Sequence, residues 1–271
     1  MVYFLPKIQI IKYFACSTNI TLLHLKTIDL NADLGEGFPY DEQLLQIVSS
    51  CNIACGGHTG TKESMKITLR LAQKYNVNVG AHPSYPDQGN FGRKEIVISD
   101  QKLKLSLMNQ INDLLEISKE EKVKVSYVKP HGALYNKAMV DKTTALIIVE
   151  AVQAVSKNLA IMGMPSSKLE ALCIKQGIHF IKESFADRRY TSDGKLVSRR
   201  EVGAIIHTNE DVWLQIKSTI EKGQLESIDG KLVALKTNSI CFHGDTPEAL
   251  ELIQFVQKKL TDNSIHIKSV L

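Results

Sequence analysis

The chain has 271 residues, 44% of them apolar and 23% charged, with 33 Lys and Arg against 29 Asp and Glu and a formal charge of +4. This composition excludes a disordered or fibrous chain and allows one large domain or two small ones. Lys7, Lys12 and Lys26 fall in the first 27 residues, which hold no acid, so the body carries 30 basic against 29 acidic residues. It shows no Lys/Arg cluster of the kind that a nucleic acid demands.

No run of about 18 uncharged apolar residues is found, so no membrane-spanning helix is expected. The apolar stretches of the leader are cut by Lys7, Gln9 and Lys12, which leaves no hydrophobic segment of about 7–15 residues for a secretory signal. Cys16, Cys51, Cys55, Cys173 and Cys241 are odd in number and widely spaced. Reduced thiols in the cytoplasm are the expectation.

In chain order, β-branched apolar runs predict strands at 27–33, 53–58, 76–82, 124–131, 159–164, 178–187 and 233–243. Period-3.6 patterns predict helices at 41–50, 61–75, 99–119, 141–157, 166–176, 208–222 and 246–260. Strand followed by helix, about seven times without a linker, predicts an irregular, seven-stranded (β/α) barrel over 28–271. Residues 1–27 form an N-terminal extension to it. No dinucleotide fingerprint or Walker loop is present. Residues 187–207 lack periodicity and read as a long loop over the site or an irregular segment.

Six of the predicted strands end in an ionisable side chain: Asp33, His58, His82, His131, Asp187 and His243. In a parallel barrel such positions converge on the C-terminal rim, where active sites are built. Alternation along the first strand sends Asp29, Asn31 and Asp33 to one face, and Gly35-Glu36-Gly37 follows as a candidate anion nest. Lys129 and His131 share a face by the same rule. Arg93 and Lys129 are candidates to hold a substrate carboxylate, Arg93 by a bidentate fork. Cys51 and Cys55 would stand about 13 Å apart on an extended strand, too far to share a zinc ion. Without a positioned Ser or Cys nucleophile, the rim suits acid/base or metal-assisted hydrolysis. Asp33, His58 and His131 are the candidate ligands if a metal is bound.

Six ordered segments carry a specific resemblance: Asp29–Glu36, Asn52–His58, Gly80–Asp87, Val128–Asn136, Phe185–Arg188 and His243–Asp245. Together they resemble the LamB/YcsF family of bacterial 5-oxoprolinase A subunits. The resemblance implies a barrel related to glycoside hydrolases and deacetylases. It also implies work with B and C subunits to open 5-oxoproline to L-glutamate while ATP, brought with Mg2+, is hydrolysed. The substrate's carboxylate would then want Arg93, Lys129 or Arg188, with Asn31 and Glu36 beside it. A stand-alone metal-dependent deacetylase and a non-catalytic lactam-binding subunit are the alternatives. Family members begin just before the first strand, so residues 1–24 are expected to be a start-site artefact or a disordered tail.

Overall fold

The structure is a computed structural model describing residues 26–199, 201–242 and 248–271. The expected extension over 1–25, and His243 with Asp245, lie outside the described residues. The first strand, β1 (Lys26–Leu34), already takes in Lys26 and Thr27, so these two belong to the sheet. Its two faces divide cleanly. Ile28, Leu30, Ala32 and Leu34 join the main apolar core, while Asp29, Asn31 and Asp33 bond to side chains of other strands. A strand buried on both sides in this way is the mark of a parallel sheet covered by helices.

The chain continues through α1 (Asp41–Leu45), β2 (Ser50–Ala54), α2 (Lys62–Lys74), β3 (Asn78–His82), a short 3-10 turn (Gln88–Asn90) and α3 (Asp100–Glu120). Then follow β4 (Val125–Val128), α4 (Gly132–Val140), α5 (Lys142–Val155), β5 (Ala160–Gly163), α6 (Lys168–Lys175), β6 (Phe180–Phe185) and α7 (Asn209–Lys222). The last elements are β7 (Gln224–Glu226), β8 (Leu232–Ala234), β9 (Ser239–Phe242), α8 (Glu248–Asp262) and β10 (Ile265–Ile267). Strands β1 to β6 and β9 run parallel in sequence order, and β9 pairs back onto β1 from Asp29↔Ser239 to Ala32↔Phe242, closing a seven-stranded barrel. Below that register β10 takes over the same edge, pairing Lys26–Ile28 with Ile265–Ile267.

Helix starts follow their caps. Thr61, Ser99, Asp141, Ser167 and Thr208 each accept a backbone N–H of the first turn. Asp41, the first residue of α1, accepts the N–H of Gly35 at 2.8 Å and so holds the turn after β1. Three elements differ from expectation. Helix α4 buries Ala133, Leu134, Tyr135, Ala138 and Met139, so nearly all its faces are apolar and no helical period stands out. The predicted strand over 53–58 ends at Ala54, because Gly56 adopts φ +91° and its N–H turns back to Thr59. The predicted strand over 233–243 is two strands, β8 and β9, with β8 paired to β7 in a separate hairpin. No helix among the described residues is long and apolar enough to cross a membrane.

The barrel interior is layered. Tyr127, Ala160, Met162 and Ile181 form an apolar cluster separate from the main core. Tyr127 fits there because Gly80 faces it: a Cβ on Gly80 would stand 2.3 Å from the Tyr127 ring. Asp29 accepts hydrogen bonds from Ser49 and Ser50, at 2.6 and 2.7 Å, and from Ser239. Burial outweighs these donors and lifts the Asp29 carboxyl to about 6. The folded state therefore holds the proton over a pH range in which the unfolded chain has lost it, and stability falls as pH rises from 3.8 towards 6. Asp29→Asn removes this term. Its stability relative to wild type should rise by about 1 kcal/mol between about pH 5 and pH 7.5, read as a few degrees in Tm. A difference that does not change with pH would refute the assignment.

Candidate active site

Above these layers a lysine stands inside the barrel. Lys129, one residue past β4, is 2% exposed. Its Nζ lies 2.9 Å from Asp33 Oδ1 on β1 and 2.8 Å from Glu183 Oε1 on β6. It also donates to Asn31 Oδ1 at 3.3 Å and to Cys241 Sγ at 3.0 Å. Burial alone would lower the lysine's pKa, but Asp33, Cys241 and Glu183 together raise it well above its ordinary value. The ammonium is thus already met by two carboxylates, so Lys129 serves Asp33 and does not suit the carboxylate-clamp role expected of it. Asn52 Nδ2 donates to the same Asp33 oxygen at 2.7 Å. With Oδ1 held twice, Oδ2 is aimed at His82 Nε2, 3.3 Å away.

His82 is the last residue of β3, His131 the residue before α4, and His58 lies in the loop after β2. Their rings meet. His58 and His131 stack at 3.7 Å between centroids with an interplanar angle of 2°, and His82 stands perpendicular to both. His58 Nε2 is 3.0 Å from Glu36 Oε1, and His131 Nδ1 is 2.9 Å from His82 Nε2. Burial lowers His58 to about 4, with Asp33 opposing and Arg93 adding to the shift. It lowers His131 as well, helped by His82 and His58. Both rings are neutral near pH 7. The ligand atoms of Glu36, His58, His82 and His131 all lie within 4.8 Å of one another. Glu36 and His82 therefore stand in this group where the sequence pointed to Asp33.

The loop between β3 and α3 holds the rings in place. Phe91 adopts φ 53°, a strained conformation for a bulky residue, and its carbonyl accepts from His131 Nε2 at 3.0 Å. Gly92 follows at φ +61°, and a Cβ there would stand 2.9 Å from His58 Cβ and 3.0 Å from His131 Cδ2. Only glycine lets the loop come this close.

A cavity of about 730 Å³ opens onto this cluster, a volume suited to a small organic ligand. Its buried end carries Asp33, Glu36, His82, Lys129 and His131, and its exposed end Arg93, Lys195 and Arg199. Arg188 lines it too, buried, with Nη2 donating to the carbonyl of Val197 at 2.6 Å. Residues 195–199 of the long loop contribute to the lining, as expected of a loop over the site. Asp187 is not among the lining residues; its carbonyl accepts the N–H of Ile206. The four described cysteines are free and buried. Burial raises all four thiols above their ordinary value, Cys55 and Cys173 to about 12, so none of the four is a thiolate nucleophile.

Glu183, Asn52, Phe91, Tyr135 and Arg199 are site residues that the sequence reading missed. Glu183 was within reach, since alternation along β6 puts Ile181, Glu183 and Phe185 on one face, but nothing in the sequence names its partner. Lys129→Met should cost about 3–5 kcal/mol, because Asp33 and Glu183 are then left buried without their cation. Adding Glu183→Gln should restore part of the loss. Urea midpoints of the two variants check this, and a single variant as stable as wild type would contradict it.

A model of the LamB/YcsF family matches residues 28–271. The 5-oxoprolinase A subunit of Haemophilus influenzae (strain PittEE) is 42% identical over 243 residues, covering 90% of this chain and 99% of that protein. Its counterpart from Thermococcus sibiricus is 39% identical over 248 residues, covering 90% and 97%. The crystal structure of a lactam utilization protein from Thermus thermophilus superposes with a TM-score of 0.83 at 34% identity, over 89% of this chain and 99% of that one. With nearly its whole described length matched in sequence and in fold, the chain belongs to the LamB/YcsF family.

Proposed function

We propose that the chain is the A subunit of an ATP-dependent 5-oxoprolinase and that its cavity holds 5-oxo-L-proline during ring opening. The observation that carries this reading is the polarity of the cavity: a buried carboxylate and imidazole end, and an arginine-bearing mouth. A γ-lactam is an unreactive amide bearing an α-carboxylate. Arg93 at the mouth and the buried Arg188 are the candidate partners of that anion. The buried thiols leave water as the nucleophile. Asp33, with Oδ1 fixed by Asn52 and Lys129, presents Oδ2 as the acceptor for the water's proton. Asp33 then returns that proton to the ring nitrogen that must leave. Asp187 follows β6 in the chain and belongs to the same end of the barrel in this proposal.

Transfer of the γ-phosphoryl group of ATP to the lactam oxygen activates the ring carbon; water adds there, the ring nitrogen leaves to give an acyl phosphate, and a second water hydrolyses that to the γ-carboxylate and phosphate, with ATP bringing Mg2+. The B and C subunits of the same enzyme complete the complex, in the cytoplasm. Reconstitution with the products of neighbouring genes tests the reading. Glutamate and ADP should form from 5-oxoproline and ATP only when this chain is present, and turnover that persists without it would overturn the proposal. Within the complex, Asp33→Asn should lower kcat by about 10²–10⁴-fold. Arg93→Ala should act mainly on KM for 5-oxoproline, as loss of a ground-state contact does.

A further inference from the structure

We infer that Glu36, His58, His82 and His131 form a binding site for one divalent transition-metal ion of the zinc class. The argument starts from where hydrogens can sit. His82 Nδ1 lies 2.8 Å from the carbonyl oxygen of Lys129, which can only accept, so Nδ1 carries the proton. His131 Nε2 lies 3.0 Å from the carbonyl oxygen of Phe91, so Nε2 carries the proton there. In neutral rings the other two nitrogens, His82 Nε2 and His131 Nδ1, each present a lone pair, and they face one another at 2.9 Å. Asp33 Oδ2 stands 3.3 Å from the same His82 nitrogen, so lone pairs of two rings and a carboxylate crowd one point, where a positive centre, a proton or a metal ion, must lie between them.

The surroundings point the same way. Glu36 Oε1 lies 3.7 Å from His131 Nδ1, 3.9 Å from His82 Nε2 and 3.0 Å from His58 Nε2, so a carboxylate oxygen and three imidazole nitrogens converge. That donor set suits zinc and its first-row neighbours, and not magnesium or calcium. The two carbonyl contacts are those that a metal-binding histidine makes with its far nitrogen, fixing its tautomer and ring orientation. Glu36, His82 and His131 all line the cavity, so an ion held here is reachable from the solvent-filled space and by whatever occupies it. These arguments concern donor atoms alone and stand whichever substrate the cavity takes.

The test measures metal and not turnover. The full-length protein, purified without chelator, should carry about one equivalent of zinc by elemental analysis. After chelation, titration with Co2+ should saturate at about one equivalent and develop visible d–d bands. His82→Ala and His131→Ala should each reduce uptake below about a tenth of an equivalent, whereas His266→Ala, an exposed histidine on β10, should leave it unchanged. Circular dichroism confirms folding of each variant, and Glu36→Gln reports the same loss should a histidine variant fail to fold. Metal-free protein that takes up neither Zn2+ nor Co2+ would overturn the inference and assign the contact to a shared proton on a histidinium pair. Uptake that survives in both folded histidine variants would overturn it equally, since the ion would then lie elsewhere.

Discussion

One cation inside the barrel sets the terms for everything above it. Asp33 and Glu183 are both buried, on strands β1 and β6, and Lys129 lies between them. Removing charges from water costs several kcal/mol each unless their partners are close and well placed. The lysine therefore has one tolerable position, and that position ties together three strands that are not neighbours in the sheet. The same constraint orients chemistry. Lys129 and Asn52 hold one oxygen of Asp33 and leave the other towards His82. A carboxylate on a rigid strand, with one oxygen held and one offered, is preorganised as a proton acceptor.

The histidines are positioned by a different device. Two of them come from loops, where backbone freedom is greatest, and the segment 83–93 removes that freedom. It does so by accepting strain at Phe91 and by omitting a side chain at Gly92, so that the Phe91 carbonyl reaches His131 and the loop backbone lies against His58. The Phe91 ring then meets His58 and His131 edge-on at 5.2 and 5.5 Å. The barrel fixes the acid and the loop fixes the imidazoles. The cavity takes its shape from both.

Much of this was legible in the residue pattern, for identifiable reasons. The barrel shows because strand and helix periods differ and alternate along the chain. Asp33, His82 and His131 show because strand ends of a parallel barrel face one rim, and period-2 alternation placed Asn31 with Asp33. What failed to show were relations across the sheet. The sequence marks Lys129 as inward but not that Glu183 and Asp33 already neutralise it. Glu36 read as part of a glycine turn, and only folding brings its carboxylate to three histidines. Helix α4 was hidden because a helix buried on almost every side loses its amphipathic signature.

The closure of the barrel carries a consequence for how the chain folds. The second edge of β1 is completed by β9 along one half and by β10 along the other, and both lie more than 200 residues further along the chain. Until those strands pair, β1 presents an open row of backbone donors and acceptors, with Asp29 and Asn31 lacking Ser239. Contacts of such long sequence separation form late. The polar lumen is therefore completed late in folding, when β9 brings Ser239 to Asp29 and Asn31.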